Sequence, residues 1–132
     1  MQSERPKHAV VVDAKPESIP IEPATTAAVV VDMQNDFCAK GGMFDRARID
    51  ISAARHVVRR AADVLVSIRK AGMSIVFLKM GFRPDLSDFG SIDSPNRIKH
   101  LPMAVGSAVV APDGRPSRIL FKTPGTRTSL MN

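Results

Sequence analysis

The sequence predicts an α/β fold built around a parallel sheet, and three stretches of the chain indicate it. A short apolar run lies at residues 27–31, an amphipathic helical stretch at about 52–71, and a second apolar run at 74–78. Short apolar runs rich in β-branched residues are typical of strands buried on both faces. A strand, a helix and a strand in that order predict the parallel βαβ unit with its right-handed crossover.

Residues 1–26 precede the first of these strands and are interrupted by four prolines. We expect this segment to form an extended arm that wraps the body of the protein. Val10–Val12 and the Asp13 that follows echo the later strand, but no amide-rich loop comes after them. We therefore interpret Val10–Val12 as an edge strand.

The apolar run at residues 27–31 ends abruptly at Asp32, and Gln34, Asn35 and Phe37 follow in the next loop. In open α/β sheets, ligands bind in the crevice at the carboxyl ends of the strands. Asp32 is therefore a candidate catalytic residue, and the other three are candidates for the near wall of a substrate pocket. The alternatives are a solvated aspartate that ends a strand, an asparagine that ties the turn, and a phenylalanine of the core.

The helical stretch carries its apolar side chains on one stripe and most of its basic side chains on the opposite side. Asp50 or Ser52 is suited to cap its start, and Gly72 stands where a left-handed C-terminal cap is favoured. The positions predicted to be buried are Val57, Val58, Ala61, Val64, Leu65 and Ile68.

Met80 and Phe82 follow the second apolar run at its carboxyl end, which makes them further candidates for the pocket. From residue 81 to residue 114 the chain is rich in proline and aspartate, and we predict a long loop that serves as a lid or binding segment. Residues 119–121 form a short apolar run whose structural type the sequence leaves open.

The 132-residue chain has a formal net charge of +6, a single cysteine and 44% hydrophobic residues. Its length limits it to one domain and makes a core of that size feasible. The basic residues are scattered and not interleaved with aromatic ones, which argues against nucleic-acid binding. No apolar run approaches the roughly 20 residues of a membrane span. The lone Cys38 fits a reducing cytoplasm.

Neither a metal nor a cofactor is expected. The three histidines are far apart in the sequence and lack the spacing of metal ligands. The pair Gly41-Gly42 is interpreted as a turn, because the chain has no glycine-rich phosphate-binding loop around it.

The stretch at residues 29–37 reads VVVDMQNDF. With Gly41-Gly42 and the loop at residues 94–96, it resembles the isochorismatase-like cysteine hydrolases, most closely their ureidoacrylate amidohydrolase branch. The resemblance covers roughly residues 16–122. It implies that residues 27–122 are the N-terminal part of a Rossmann-like, three-layer α/β/α domain with a parallel sheet.

The same resemblance implies a hydrolase that cleaves a C–N bond of a small amide-type or ureido-type molecule. The family uses an aspartate, a lysine and a nucleophilic cysteine, and Asp32 matches the aspartate. The lysine and the cysteine lie further along, and neither Lys122 nor Cys38 matches them. The branch tends to carry a polar amide and a tryptophan where this chain has Met80 and Phe82, which leaves a more apolar amide substrate open.

Residues 123–132 show no hydrophobic period. Reverse translation of this tail, read from the third base, permits Thr-Trp-Asn-Thr-Asp-Ile-Val-Asp-Glu, which is similar to the family's continuation. We therefore expect an out-of-frame tail and a truncated chain that is inactive by itself. The alternative is coincidence, helped by the free third codon positions.

Two other functions stay open at this point. One is a non-catalytic interaction module that pairs with another chain through an exposed sheet edge. The other is a small flavodoxin-like binding domain, which the lack of a nucleotide-binding loop disfavours. Association into homo-oligomers is left open by the resemblance as well.

Overall fold

A computed structural model describes residues 9–122 of the chain; the start of the predicted arm and the predicted out-of-frame tail lie outside them. The described part begins with an antiparallel hairpin of β1 (Val10–Val12) and β2 (Ile19–Ile21). A single 3₁₀ turn at Pro23–Thr25 follows. The strand predicted at Val10–Val12 is therefore confirmed, and its partner is β2 in a separate two-stranded sheet.

The centre of the fold is the predicted strand–helix–strand unit. Strand β3 (Ala27–Val31) pairs in parallel with β4 (Ser74–Leu78) over the full length of both strands. The connection contains two single-turn helices, α1 (Asn35–Cys38) and α2 (Met43–Arg46), and the long helix α3 (Ser52–Lys70). The α/β class that the sequence predicts is therefore present in this part of the chain.

Both ends of α3 are closed by local hydrogen bonds. The Asp50 carboxylate accepts hydrogen bonds from the backbone N–H and the hydroxyl of Ser52, at 2.9 and 3.0 Å. At the other end Gly72 has φ +71°, and the N–H of Met73 donates to the carbonyl of Ile68 at 3.2 Å. This pattern is the Schellman motif, which satisfies carbonyls that the last helical turn leaves free.

The buried stripe of α3 is narrower than the sequence predicts. Leu65 is only 2% exposed, and its neighbours Val58, Ala61 and Ile68 are half-buried. The prediction that Val57 and Val64 are buried is wrong, because about half of each side chain is exposed. These two residues are seven positions apart and lie one above the other on the helix, beside the stripe that packs inward.

The prediction that β3 and β4 are buried on both faces is also wrong. Successive side chains of a strand point to opposite faces, and the side chains of one face are largely in solvent: Val29 56%, Val31 51%, Val76 43% and Leu78 50% exposed. We call these four residues the open sheet face. The described residues place no helix layer over it, so the three-layer arrangement stays a prediction.

The predicted long loop contains short elements. They are α4 (Pro95–His100), a 3₁₀ turn (Leu101–Met103) and β5 (Ala108–Val110), which pairs antiparallel with β6 (Pro116–Arg118) just after the predicted loop. The Ser94 hydroxyl caps α4 by accepting a hydrogen bond from the N–H of Arg97 at 3.2 Å. The prediction of one continuous loop is therefore too simple.

The core of the described part lies next to the carboxyl ends of β3 and β4. It consists of Met43, Phe82, Phe89, Ile119 and Leu120, each at most 5% exposed. The apolar run at residues 119–121, whose type the sequence left open, thus returns to the centre of the molecule. A parallel bridge joins Phe121 to Phe82 just beyond β4.

Candidate active site

Asp32 lies at the carboxyl end of β3, where the chain leaves the sheet. Its N–H continues the ladder by donating to the carbonyl of Leu78 at 2.9 Å, and its own carbonyl accepts from the N–H of Gln34 at 2.8 Å. The backbone has φ +55° at this residue, a left-handed conformation that aspartate tolerates better than most side chains. The carboxylate is exposed, so it is accessible to another reacting group.

Gln34 joins the loops that follow β3 and β4. Its side-chain NH₂ group donates to the carbonyl of Met80 at 3.0 Å, and its Oε1 accepts from the N–H of Met80 at 2.9 Å. Gln34 is 5% exposed, so these bonds form away from solvent. The contact of Gln34 with substrate stays a prediction. In the structure, both groups of its side-chain amide are bonded to the backbone of Met80.

Asp36 is a functional candidate that the sequence did not single out. Its carboxylate accepts a hydrogen bond from the N–H of Leu120 at 3.1 Å. Burial raises the pKa of Asp36, while hydrogen bonds from Leu120 and Gln34 act in the opposite direction. Asp36, the second acid of the stretch DMQNDF at residues 32–37, thus links α1 to the core segment at residues 119–121.

Gly41 and Gly42, which follow α1, allow the backbone of the next turn to pack closely against the start of α1. Gly41 has φ +78°, and its N–H donates to the carboxylate of Asp45 at 2.8 Å. A Cβ on Gly42 would collide with the backbone carbonyl of Asn35. The pair therefore forms the predicted turn and also permits a close backbone contact at the site.

A cavity of about 220 Å³ opens at the carboxyl ends of β3 and β4. Three of the predicted site residues line it, namely Gln34, Asn35 and Met80. The Oδ1 atom of Asn35 is buried without a hydrogen-bond partner. A buried polar atom without a partner is unfavourable, and this one has almost no surface that a molecule in the cavity could reach.

The cavity has a basic lining. Four cationic side chains contribute to its wall: Lys40, Lys79, Arg118 and Lys122. Lys122 also forms an ion pair with Asp88 at 2.8 Å. Asp36 is the acidic residue of the lining, so the balance of charge favours an anionic group in the cavity.

The remaining predicted site residues lie elsewhere. Asp32 is outside the cavity lining, at the end of β3. Phe82 is buried in the core with its ring 4.6 Å from that of Phe89. Phe37 packs against the same core, 4.9 Å from Phe44. The structure thus brings together the polar loop residues and Met80, and it does not bring Phe37 or Phe82 to the cavity wall.

Cys38 has surroundings that disfavour a reactive thiolate. It is buried at the end of α1. Burial raises the pKa of its thiol and the charge of Asp32 raises it further, against a hydrogen bond to the backbone of Gln34. A nucleophilic cysteine needs the opposite shift, in agreement with the prediction that Cys38 is not the nucleophile.

Within residues 9–122, no group of three or more histidine, cysteine, aspartate or glutamate side chains is arranged to hold a metal ion. His100 is buried, and its Nδ1 lies 2.9 Å from the carbonyl of Asn96. None of the helices in this part of the chain combines the length and the apolar character needed to cross a membrane.

Comparison with known proteins identifies related sequences. The family model of the isochorismatase domain matches residues 26–120. The chain is 39% identical over 87 residues to the ureidoacrylate amidohydrolase RutB of Caulobacter segnis, which is 66% of this chain and 36% of that protein. It is 41% identical over 88 residues to RutB of Methylorubrum extorquens, 67% of this chain and 36% of the relative. The chain thus spans about a third of the length of these curated relatives.

Proposed function

The chain belongs to the isochorismatase family, and from this we propose that it carries the catalytic aspartate of a hydrolase that cleaves C–N bonds. The observation that supports the proposal most directly is the position of Asp32. It is an exposed carboxylate at the carboxyl end of β3, held on a left-handed backbone. In open α/β sheets, ligands bind at the carboxyl ends of the strands.

In the proposed mechanism, a cysteine thiolate attacks the carbonyl carbon of the scissile bond, and the amine leaves. Asp32 takes the proton of the thiol and later gives it to the leaving nitrogen. Water then releases the acyl group from the sulfur. The resemblance assigns the nucleophile and a lysine to positions that this chain does not match, and Cys38 is unsuited to the first role because burial raises its pKa.

We propose a substrate that has both an amide-type nitrogen and an acidic group. The cationic side chains around the cavity favour a carboxylate, and the amidohydrolase relatives favour an amide-type nitrogen. Ureidoacrylate, the compound in the printed name of the relatives, has both groups. Phe82 differs from the residue that the ureidoacrylate branch tends to carry at this position. Because its side chain lies in the core, this difference is weak evidence for a more apolar substrate.

By itself, the 132-residue chain is proposed to be inactive, since Asp32 is the one member of the catalytic set that it matches. The second candidate is a non-catalytic module that binds another chain through its sheet. The observation that favours this candidate is the exposed apolar surface of β3 and β4. Any thiol-dependent amide hydrolysis by the purified chain would contradict the proposed inactivity.

A chimera tests the proposed function. In the Caulobacter segnis relative, the matched segment is replaced by residues 26–120 of this chain, and release of the amine product from ureidoacrylate and from uncharged amides is measured. We expect turnover that favours the acid and is lost on treatment with iodoacetamide. The same chimera with Cys38→Ala should show the same turnover and the same loss on treatment with iodoacetamide, because the buried thiol has no part in the reaction. A folded chimera that hydrolyses none of these compounds, beside an active parent, would contradict the proposal.

A further inference from the structure

The cavity at the carboxyl ends of β3 and β4 has two walls of different origin. One wall comes from the strand ends and the loops that follow them, and it includes Asn35 and Met80. The other comes from the β5–β6 hairpin and the residues after it, and it includes Arg118 and Phe121. Asp32, at the end of β3, lies on the side of the first wall. A substrate whose reacting bond is at Asp32 therefore extends its other end towards the hairpin.

Arg118 is held in the second wall by two contacts. Its guanidinium carbon lies over the ring of Phe121, 5.6 Å from the ring centroid, and its Nη1 donates a long hydrogen bond of 3.5 Å to the carbonyl of Gly106. No carboxylate among the described residues forms an ion pair with Arg118, whereas Lys122 is paired with Asp88. The charge of Arg118 is thus fixed in place and not neutralised.

The Phe121 ring that supports the guanidinium depends in turn on a glycine. Gly106 has φ +83°, and a Cβ at this position would lie 2.8 Å from the ring. The N–H of Gly106 donates to the carbonyl of Ile119 at 2.9 Å, which fixes the glycine against the core segment. Gly106, Phe121 and Arg118 therefore form a stack, and its outermost member lies in the cavity wall.

A guanidinium held in this way is suited to a carboxylate. Its N–H groups form a planar fork that matches the two oxygens of a carboxylate, and such charge-assisted pairs are among the strong hydrogen bonds of proteins. The bond to Gly106 uses only one of these N–H groups. Because the side chain is oriented before a ligand binds, less conformational freedom is lost on binding.

We propose that Arg118 binds the carboxylate of the substrate, and that Phe121 is the positioning residue that holds its guanidinium. This assignment rests on the proposed function. It places the carboxylate at the hairpin wall and the scissile bond towards Asp32. Arg118 is then the residue that selects acids over uncharged amides.

Binding to the whole 132-residue chain tests the assignment without any catalysis. The probes are 3-ureidopropionate, the saturated analogue of ureidoacrylate, and its uncharged primary amide, each titrated by NMR. We expect the acid to bind more tightly than the amide. Arg118→Gln should weaken the acid by about tenfold or more and leave the amide unchanged, since only the acid loses a charge-assisted hydrogen bond.

Arg115 provides the matched control. It lies on the same hairpin, pairs with Asp113 and does not line the cavity. Arg115→Gln removes the same charge and should leave the affinity for the acid unchanged. Phe121→Leu keeps every charge and should weaken the acid alone. Circular dichroism of each variant checks that the chain is folded.

Kinetics separate the roles of Arg118 and Phe121 from a merely structural one. In a chimera extended to residues 26–122, which includes Phe121, both Arg118→Gln and Phe121→Leu should raise KM for ureidoacrylate with little change in kcat. KM for an uncharged amide should not change. A fall in kcat for both kinds of compound would show a structural effect and would overturn the assignment.

The outcomes of the titration distinguish this inference from the proposed function. Equal affinity of the native chain for acid and amide would overturn the role of Arg118, even if the chimera hydrolyses ureidoacrylate. Equal weakening by Arg118→Gln and Arg115→Gln would overturn it too, because the general charge of the hairpin would then be responsible. Acid binding that depends on Arg118, beside a chimera without turnover, would support the carboxylate site and contradict the proposed function.

Discussion

At the scale of single residues, the two acids of the DMQNDF stretch have opposite surroundings. Asp32 is exposed at the end of β3, whereas Asp36 is largely buried and bound to the N–H of Leu120. The sequence predicts the position of Asp32, because a polar residue directly after a buried strand falls at the carboxyl edge of a sheet. It does not predict the role of Asp36, since Leu120 is 84 positions away.

Gln34 shows the same limit. The sequence places it beside Asp32 but gives no sign that its amide binds the backbone of Met80, 46 positions later. The Gln34 side chain binds both the N–H and the carbonyl of Met80, as the backbone of a neighbouring strand would.

Replacing Gln34 by leucine tests this role. The change leaves the N–H and the carbonyl of Met80 without partners in a buried setting, and we expect a loss of about 1–3 kcal/mol in the free energy of unfolding. Gln34→Glu, which keeps one acceptor, should lie between leucine and the native residue. Urea denaturation measures the three proteins, and equal stability of all three would show that the amide does not hold the two loops together.

The pKa of Asp36 predicts a dependence of stability on pH. Burial raises this pKa above its ordinary value of 3.8, so the folded protein keeps the proton to higher pH than the unfolded chain. The contribution is therefore fully present below 3.8 and is lost as the pH rises through the folded pKa. Asp36→Asn should gain stability relative to the native protein over that interval.

Asp50 is the control for this measurement, since hydrogen bonds from Ser52 lower its pKa. Its contribution is present above 3.8 and is lost as the pH falls through the folded value. In urea denaturation at a series of pH values, Asp50→Asn should thus lose stability relative to the native protein as the pH rises. The stabilities of the two variants relative to the native protein should therefore change in opposite directions with pH. A change in the same direction would contradict the account of Asp36.

At the scale of elements, the strand–helix–strand unit is the part that the sequence predicts best. Its strands have β-branched runs, and its helix has an apolar stripe and a glycine cap at Gly72. The short elements α4, β5 and β6 were not predicted, because each is three to six residues long. Such elements depend on distant contacts, such as the one between Ser107 and Ile119, more than on their own periodicity.

Two neighbouring positions on α3 test which face of the helix is buried. Leu65→Ala should lower the free energy of unfolding by about 2–5 kcal/mol, because it leaves a cavity under the helix. Val64→Ala should change it by no more than about 0.5 kcal/mol, since the side chain is largely in solvent. Thermal or urea denaturation gives both values. A larger loss of stability for Val64→Ala than for Leu65→Ala would show that the buried side of α3 has been assigned wrongly.

At the scale of the whole molecule, the burial of the central sheet is the feature that the sequence predicted wrongly. Residues 26–120 match the isochorismatase domain, and the strands that they contain are apolar on both sides. A strand sequence does not record which of its faces the rest of a protein covers, so the sequence predicted burial on both. Within residues 9–122, the structure instead leaves Val29, Val31, Val76 and Leu78 about half exposed.

The measurement that tests the account most directly is the turnover of ureidoacrylate by the chimera with Asp32 replaced by asparagine. Asparagine keeps the shape of the side chain but cannot move the proton, so we predict a fall in kcat of roughly 10²–10⁴-fold with the fold intact. Asp63→Asn on the exposed side of α3 is the matched control and should retain full activity. Undiminished turnover by the Asp32→Asn chimera would contradict the claim that this chain carries the catalytic aspartate.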